Sequence, residues 1–200
     1  LDIFKNSYKS IKRKEIIKHT QEILFENKNF LIANKRNDIA VHAGSKNYIG
    51  LVDIFRKKYG ENIDLCHRLD KHTSGCIVFA KSKKAAKHFS KCLSANEVKK
   101  TYSAILKGSF KGVSLINMPV YKNINSNTKK AISKFIFKKK LKKTTLVDIQ
   151  IFTGRTHQIR IHAAEMKHPI IYDKRYGDIK FDEKLNTGIH KMPLHSKKIS

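Results

Sequence analysis

Short apolar runs separated by polar turns recur along the chain from residue 22 onward. Residues 23–25 and 30–33 are apolar and flank the polar stretch 26–29, which predicts a β-hairpin. Residues 50–59 carry apolar side chains at helical spacing. Ser82 precedes a second helical pattern that runs to about Ala95, and serine is a favoured N-cap residue.

The second half of the chain continues this pattern. The apolar run 76–80 predicts a buried strand, and the alternating segment 100–106 predicts another. Residues 135–137 and 146–152 predict two further strands, with a cationic turn at 138–143 between them. Residues 156 to about 167 predict a helix, and residues 121–130 predict a loop. Hairpins of strands with a few separate helices indicate an α+β domain with a largely antiparallel sheet.

The charge of the chain is strongly unbalanced. It has 200 residues, which suits one domain, with 43 Lys+Arg against 16 Asp+Glu and a net charge of +27. Such an excess predicts a polyanionic partner, and nucleic acid is the most frequent one. Only seven of the cations are arginines, and four of these lie in the two strongest motifs, at Arg68, Arg155, Arg160 and Arg175.

Three cysteines without a Cys-x-x-Cys pair indicate a reducing compartment, so we expect a cytoplasmic protein. The sequence shows neither a signal peptide nor an apolar stretch long enough to span a membrane. Residues 1–21 are basic and polar, and we interpret them as a linker or the tail of an upstream segment. Residues 22–200 then form one folded domain.

The stretch His67-Arg68-Leu69-Asp70-Lys71-His72-Thr73-Ser74-Gly75 contains the first chemical signal. Its lone acid, Asp70, lies on a loop that leads into a predicted core strand, which is a rigid place to present one reactive carboxylate. A second motif is Thr153-Gly154-Arg155-Thr156-His157-Gln158-Ile159-Arg160-Ile161-His162, and His168-Pro169-Ile170, Asp173 and Arg175-Tyr176-Gly177 continue it. A third is Lys100-Thr101-Tyr102-Ser103-Ala104.

These three motifs resemble those of the RluA-type RNA pseudouridine synthases, which isomerise uridine in RNA. The resemblance implies the catalytic fold of that family, a mixed, mostly antiparallel bent sheet flanked by helices, with an active-site cleft across the sheet. It also implies that Asp70 is catalytic, that Arg160 pairs with it, and that Tyr102 lies against the target base. The physics agrees, because a guanidinium favours the ionised carboxylate and a tyrosine ring can stack on uracil. Whether Asp70 attacks the sugar or abstracts a proton stays open.

The resemblance further implies RNA contacts and no cofactor or metal. Arg68 is expected to help with base flipping, and we predict further RNA-binding residues at Arg155, His67, Thr73, His157 and Lys100. Lysines within 81–91 and 138–143 are predicted to contact the RNA backbone. Arg155 has the alternative role of bracing its turn. The histidines lack the spacing of a zinc site, and we expect a monomer.

Within the family, the chain looks closest to the RluC-like branch, which modifies large-subunit ribosomal RNA. It departs from the family pattern at residues 35–38, where Lys-Pro-x-Gly is usual, and at Lys167 and Tyr172, where glycines are usual. Many members carry a small RNA-binding domain ahead of the catalytic one, so the resemblance implies that residues 1–21 are a linker or remnant of such an upstream domain and that residues 22–200 are the pseudouridine synthase catalytic domain. The family usually continues past Leu194-His195 with another strand, so a truncated C-terminus is an open alternative. Two other functions are open: a catalytically silent RNA-binding homologue in ribosome assembly, and a synthase that acts on transfer RNA. A DNA-binding or ribosomal structural protein would explain the charge but not the motifs.

Overall fold

The computed structural model describes residues 21–43, 49–120, 129–185, 187–188 and 190–200. The chain divides into two compact units, one up to Glu97 and one from Val98 onward. Each unit combines antiparallel strands with helices, and the predicted α+β class is confirmed. The prediction of an upstream linker concerns residues that lie, except for Gln21, outside the described part of the chain.

The first unit consists of a small sheet and two longer helices. Its elements in chain order are β1 (Glu22–Glu26), β2 (Phe30–Lys35), α1 (Leu51–Tyr59), β3 (Asp64–Leu65), β4 (Ser74–Ala80) and α2 (Lys83–Ser94). Strand β4 pairs antiparallel with both β2 and β3, and β1 pairs antiparallel with β2. Phe79 of β4 is fully buried and stacks on Phe55 of α1 with ring centroids 4.2 Å apart, so the sheet and α1 share one core.

The second unit is a longer antiparallel sheet with two short helices. Its elements are β5 (Lys100–Lys107), β6 (Val113–Asn117), β7 (Ile132–Lys140), β8 (Thr144–Ile151), α3 (Gln158–Glu165), α4 (Ile179–Glu183) and β9 (Leu194–Ile199). The strands lie in the order β9-β5-β8-β7-β6. Alternate side chains of the central strands are buried on one face, among them Ala104, Leu106, Phe135, Val147 and Ile149. This face forms the core of the unit.

The apolar pattern located most elements correctly. The hairpin of β1 and β2, the helix α1, the strands β4 and β5 and the Ser82-capped helix α2 are confirmed, and Ser82 Oγ accepts the Ala85 N–H at 3.2 Å. Strands β3, β6 and β9 and helix α4 were not predicted, since each is short or mixed in polarity. The predicted loop at 121–130 lies mostly outside the described residues, which resume at Lys129.

Several predicted boundaries are wrong, those of β7 and α3 among them. The cationic turn was placed at 138–143, but β7 continues to Lys140, because Lys139 and Lys140 still pair with Leu146 and Thr145. Lysines are tolerated there because their side chains are exposed. The helix predicted for 156–167 spans only Gln158–Glu165, since residues at both ends have left-handed backbone: His157 has φ of 55° and Lys167 has φ of 62°.

Candidate active site

The loop between β3 and β4 holds Asp70 between two buried neighbours. Leu69 is 5% exposed and Thr73 is 3% exposed, whereas Asp70 is half-buried and Arg68 is exposed. The Thr73 N–H donates to the Asp70 carbonyl at 3.0 Å, which closes a turn around the acid. The loop is thus anchored by burial on both sides of Asp70, as a precisely placed carboxylate requires.

A buried lysine lies beneath this loop and was not predicted as a site residue. Lys35, at the end of β2, is fully buried, and its Nζ donates to the carbonyls of Arg36, Ile39 and Lys71 at 3.0, 2.9 and 3.0 Å. Burial lowers the pKa of Lys35 to about 8, while the charges of Asp38 and Asp70 act in the opposite direction. Lys35 therefore links β2 directly to the residue after Asp70.

The side chains of Asn37 and Asp38 bind the same loop. Asn37 Nδ2 donates to the His72 carbonyl at 2.7 Å, and His72 Nδ1 lies 2.6 Å from Asp38 Oδ1. Asp38 has φ of 68°, so it keeps the left-handed backbone of the glycine that the family pattern places here. Residues 35–38, where the chain departs from that pattern, thus bind both residues that follow Asp70.

His67 and Arg68, which both precede Asp70, have different surroundings. His67 Nε2 accepts the Val78 N–H at 3.1 Å, and its ring lies parallel to Phe89, so this histidine ties the loop to β4. Arg68 is exposed, and burial together with the Arg68 charge lowers the pKa of His42. RNA binding by His67, Arg68 and Thr73 stays a prediction.

In the second unit, Gln158 organises the segment that precedes α3. Its side chain is 3% exposed, and its Oε1 accepts from Thr153 Oγ1 at 2.7 Å and from the Arg155 N–H at 3.0 Å. Its Nε2 donates to the Ile132 carbonyl at 3.0 Å and to Ser133 Oγ at 2.9 Å. Because these four bonds satisfy the amide fully, Gln158 fixes the start of α3 against β7.

Arg160 of α3 forms a buried, two-pronged ion pair with Asp173. Arg160 Nε and Nη2 donate to the two carboxylate oxygens of Asp173, each at 2.7 Å. Asp173 also accepts the N–H groups of Arg175 and Tyr176 at 3.0 and 3.2 Å. Burial alone would raise the pKa of Asp173, but the bonds from Arg160 and the backbone hold it below its usual value.

An aromatic ring and a glycine complete the surroundings of this pair. The ring of Tyr176 lies 5.1 Å from the Arg160 guanidinium, and its hydroxyl is 3.0 Å from His157 Nδ1. A Cβ at Gly177 would lie 2.4 Å from the Asp173 carbonyl oxygen, so only glycine fits there. The Arg175-Tyr176-Gly177 element of the sequence therefore packs around Arg160 and Asp173.

Strand β5 presents two further predicted residues. Tyr102 is 6% exposed and pairs with Ile149 of β8 and Ser196 of β9. Lys100, at the start of the strand, is half-buried, and burial lowers the pKa of its amine. Tyr102, Lys100 and Arg160 belong to the second unit and Asp70 to the first, so the pairing of Arg160 with Asp70 stays a prediction.

Arg155, to which the sequence gave two alternative roles, and His162 make structural contacts. Arg155 Nε donates to the Lys130 carbonyl at 3.0 Å, so the arginine braces its turn, while its RNA contact stays a prediction. His162 is fully buried and bonds the Met118 carbonyl through Nε2 at 3.0 Å. Burial lowers the pKa of His162, which is the environment of a packed neutral imidazole.

Within the described residues, no group of three or more His, Cys, Asp or Glu side chains is placed to hold a metal ion. None of the helices seen in that part of the chain has both the length and the apolar character needed to cross a membrane. A cavity of about 370 Å³ opens beside Asp173 and is lined by Tyr172, Asp182, Leu185 and His190, among others. Neither Tyr102 nor Arg160 lines it, so it lies outside the predicted catalytic set.

Comparison with known proteins places these motifs in a family context. Residues 29–165 match the family model described as RNA pseudouridylate synthase. A ribosomal large subunit pseudouridine synthase C from Vibrio parahaemolyticus is 33% identical over 201 residues, covering 95% of this chain and 64% of that protein. Its namesake from Buchnera aphidicola of Acyrthosiphon pisum is 38% identical over 189 residues, covering 87% and 60%. The chain thus spans about three fifths of these relatives.

Two solved human structures share the fold. RNA pseudouridylate synthase domain containing 1 superposes with a TM-score of 0.76 at 24% identity, covering 90% of this chain and 78% of that one. RNA pseudouridylate synthase domain containing 4 gives a TM-score of 0.76 at 21% identity, with coverage of 98% and 88%. At these identities the likeness concerns the fold alone, and it agrees with the fold that the motifs implied.

Proposed function

Because the chain belongs to the RNA pseudouridylate synthase family, we propose that it isomerises specific uridines of RNA to pseudouridine. The observation that carries this proposal is the anchored loop around Asp70 together with the buried, doubly bonded pair of Arg160 and Asp173, and both Asp70 and Arg160 lie within the residues that match the family model. We take large-subunit ribosomal RNA as the substrate, supported by the names of the relatives. The same proposal has the chain act as a cytoplasmic monomer without cofactor or metal.

The proposed reaction conserves all atoms of the nucleotide. The bond from N1 of uracil to the ribose breaks, the base turns, and C5 forms the new bond to the same sugar carbon. C5 then loses its proton and N1 gains one, so no redox step is involved. Asp70 acts on the sugar as nucleophile or as base, and the rigid turn formed with Thr73 keeps its carboxylate in place.

The surroundings of the other two residues suit the roles proposed for them. Tyr102 is almost fully buried on a central strand, so its ring can lie against the base with little loss of side-chain freedom. Asp173 holds Arg160 in one orientation, so Arg160 can present its remaining N–H groups without searching for a conformation.

The target uridine must flip out of the base stack of the RNA, at a cost of a few kcal/mol. Arg68 is exposed directly before Leu69 and Asp70, so we propose that it occupies the space vacated by the base or binds an adjacent phosphate. Such a contact would repay part of the cost of flipping.

Asp70→Asn tests the proposal, with Asp64→Asn as the matched control, since Asp64 is an exposed acid of the same unit that pairs with Arg56. We expect Asp70→Asn to abolish pseudouridine formation on large-subunit ribosomal RNA, mapped by carbodiimide labelling and reverse transcription, while RNA binding is retained. The control should form product normally. Equal product from wild type and Asp70→Asn would refute the catalytic role.

The same mapping separates the alternatives. Wild-type protein that modifies transfer RNA but no ribosomal site would overturn the substrate while leaving the reaction intact. Wild-type protein that binds RNA without forming pseudouridine in any RNA class would identify the silent homologue instead.

A further inference from the structure

One end of the sheet in the second unit carries a dense group of lysines. They lie in the last part of β7, in the turn that joins β7 to β8, and in the turn that joins β5 to β6. We call the following residues the lysine surface: Lys111, Lys138, Lys139, Lys140, Lys142 and Lys143. All six are exposed.

Backbone hydrogen bonds hold the two turns side by side. The Gly108 N–H donates to the Lys143 carbonyl at 3.0 Å, and the Phe137 N–H donates to the Gly112 carbonyl at 2.9 Å. The fully buried Thr145 adds a second link, because its Oγ1 donates to the Gly108 carbonyl at 2.7 Å and accepts the Phe110 N–H at 3.1 Å. The lysines therefore extend from an ordered framework.

An irregularity in β7 concentrates the charge further. Phe137 pairs with Val147 and Lys139 with Leu146, so Lys138 is an extra residue in a bulge. Lys139 faces the side of the sheet that carries Leu146 and Asp148, and the charge of Lys138 acts on Asp148 as well. Two consecutive lysines thus approach the same face, where a regular strand would separate them.

Among the described residues, almost no negatively charged side chain neutralises the lysine surface. The nearby carboxylate is Asp148, which already accepts from Ser103 Oγ at 2.6 Å and pairs with Lys197 at 3.0 Å. In the described part of the chain, the side chains of Lys139, Lys140, Lys142 and Lys143 form no ion pair or hydrogen bond that would offset their mutual repulsion. A polyanion along this end would remove that repulsion.

We propose that the lysine surface binds the phosphate backbone of the RNA substrate. This inference rests on the proposed function for the identity of the polyanion. Lysines are flexible point charges that contact phosphate without reading bases, so the surface contributes affinity and not the choice of uridine. The two turns at the end of β7 and β5 thereby extend the contact with RNA beyond the motifs that carry the chemistry.

The test is a quadruple variant, K139Q/K140Q/K142Q/K143Q, compared with the charge-matched control K28Q/K58Q/K180Q/K184Q. The control removes the same number of exposed lysines from other parts of the chain. Binding of a labelled transcript of large-subunit ribosomal RNA is measured by filter retention between 50 and 200 mM salt. Urea unfolding shows that both variants are folded.

We expect the surface variant to bind at least about tenfold more weakly at 100 mM salt, with a salt slope shallower by about 3, because each of the four lost phosphate contacts contributes roughly 0.7 to 0.9 to the slope. The control should stay within about twofold of wild type. Replacement of the same four lysines by arginine should restore binding. Equal weakening in both variants, or none in either, would overturn the proposal.

The assay also keeps this proposal separate from the enzymatic one. Binding is measured without product formation, so a surface variant that loses affinity supports the lysine surface even if no pseudouridine is found. Conversely, if the wild type forms product and the surface variant binds RNA as tightly as the wild type, the proposed role of the lysine surface is refuted. The proposed reaction is then unaffected.

Discussion

Arg160 and Asp173 are joined by two parallel hydrogen bonds of 2.7 Å each, with side chains only 7% and 1% exposed. Such a pair is costly to bury, and its benefit depends on both partners being present. Asp173 therefore compensates the charge of the Arg160 guanidinium and fixes its direction. The orientation of Arg160, which belongs to the predicted catalytic set, thus depends on Asp173.

Asp173→Asn should destabilise the chain and remove activity. The change leaves a buried guanidinium without a counter-charge, which costs about 3–5 kcal/mol in comparable pairs. The free energy of unfolding from urea titration and pseudouridine formation on the transcript measure the two effects. Asp182→Asn is the control, because burial raises the pKa of Asp182 and its loss of charge should cost less. Equal stability of wild type and Asp173→Asn would contradict the role of the pair.

Gln158→Leu should destabilise the second unit more than the same change at an exposed glutamine. Leucine matches the buried volume but leaves the Ile132 carbonyl, Ser133 Oγ, Thr153 Oγ1 and the Arg155 N–H without their shared partner. Loss of buried hydrogen bonds of this kind costs about 1–3 kcal/mol for each group left unsatisfied. Urea unfolding of Gln158→Leu and of the exposed control Gln150→Leu measures the contrast. Similar losses in both would contradict it.

Lys35 should make stability increase with pH in the alkaline range. Its pKa is about 8 in the folded chain and 10.5 when solvated, so between these values the unfolded chain binds the extra proton. The free energy of unfolding then rises with pH, by about 3 kcal/mol in total. Below pH 8 the lysine is protonated in both states, and this contribution is absent.

The measurement compares wild type with Lys35→Met by urea unfolding from pH 7 to 10.5. The difference should grow in favour of wild type as the pH rises through this window. Lys28→Met, at an exposed lysine, controls for the loss of one positive charge. A difference that is constant with pH would show that Lys35 is not buried as a charged group.

Lys167→Gly should stabilise the chain by about 1 kcal/mol, because glycine adopts left-handed backbone without the strain that a Cβ causes. Lys167 has φ of 62° immediately after α3, and its N–H and that of His168 bond the Ala164 and Ala163 carbonyls at 2.9 and 3.1 Å. This is the helix-terminating arrangement in which glycine is preferred. Lys167→Ala keeps the Cβ and should give no such gain. A higher urea midpoint for both variants would point to removal of charge instead.

Several features could be predicted from the sequence because they depend on neighbouring residues. The hairpin of β1 and β2 and the Ser82 cap follow from local patterns of polarity and from side-chain hydrogen bonding to adjacent backbone. The three motifs indicated the family and the predicted catalytic residues, Asp70, Tyr102 and Arg160, from the sequence alone. The family pattern also indicated that Lys167 and Tyr172 stand at positions where glycine is usual, and both residues have positive φ.

The sequence by itself determined the element pattern, the excess of positive charge and the motif residues, since composition and short spacing are properties of the chain alone. Only the tertiary structure decided which groups satisfy one another. Asp173 reaches Arg160 across 13 positions and Lys35 reaches the Lys71 carbonyl across 36, and no local pattern encodes such separations. Buried charges and amides take whichever partners the packed backbone brings within hydrogen-bond distance, so their roles appear only when the chain is folded.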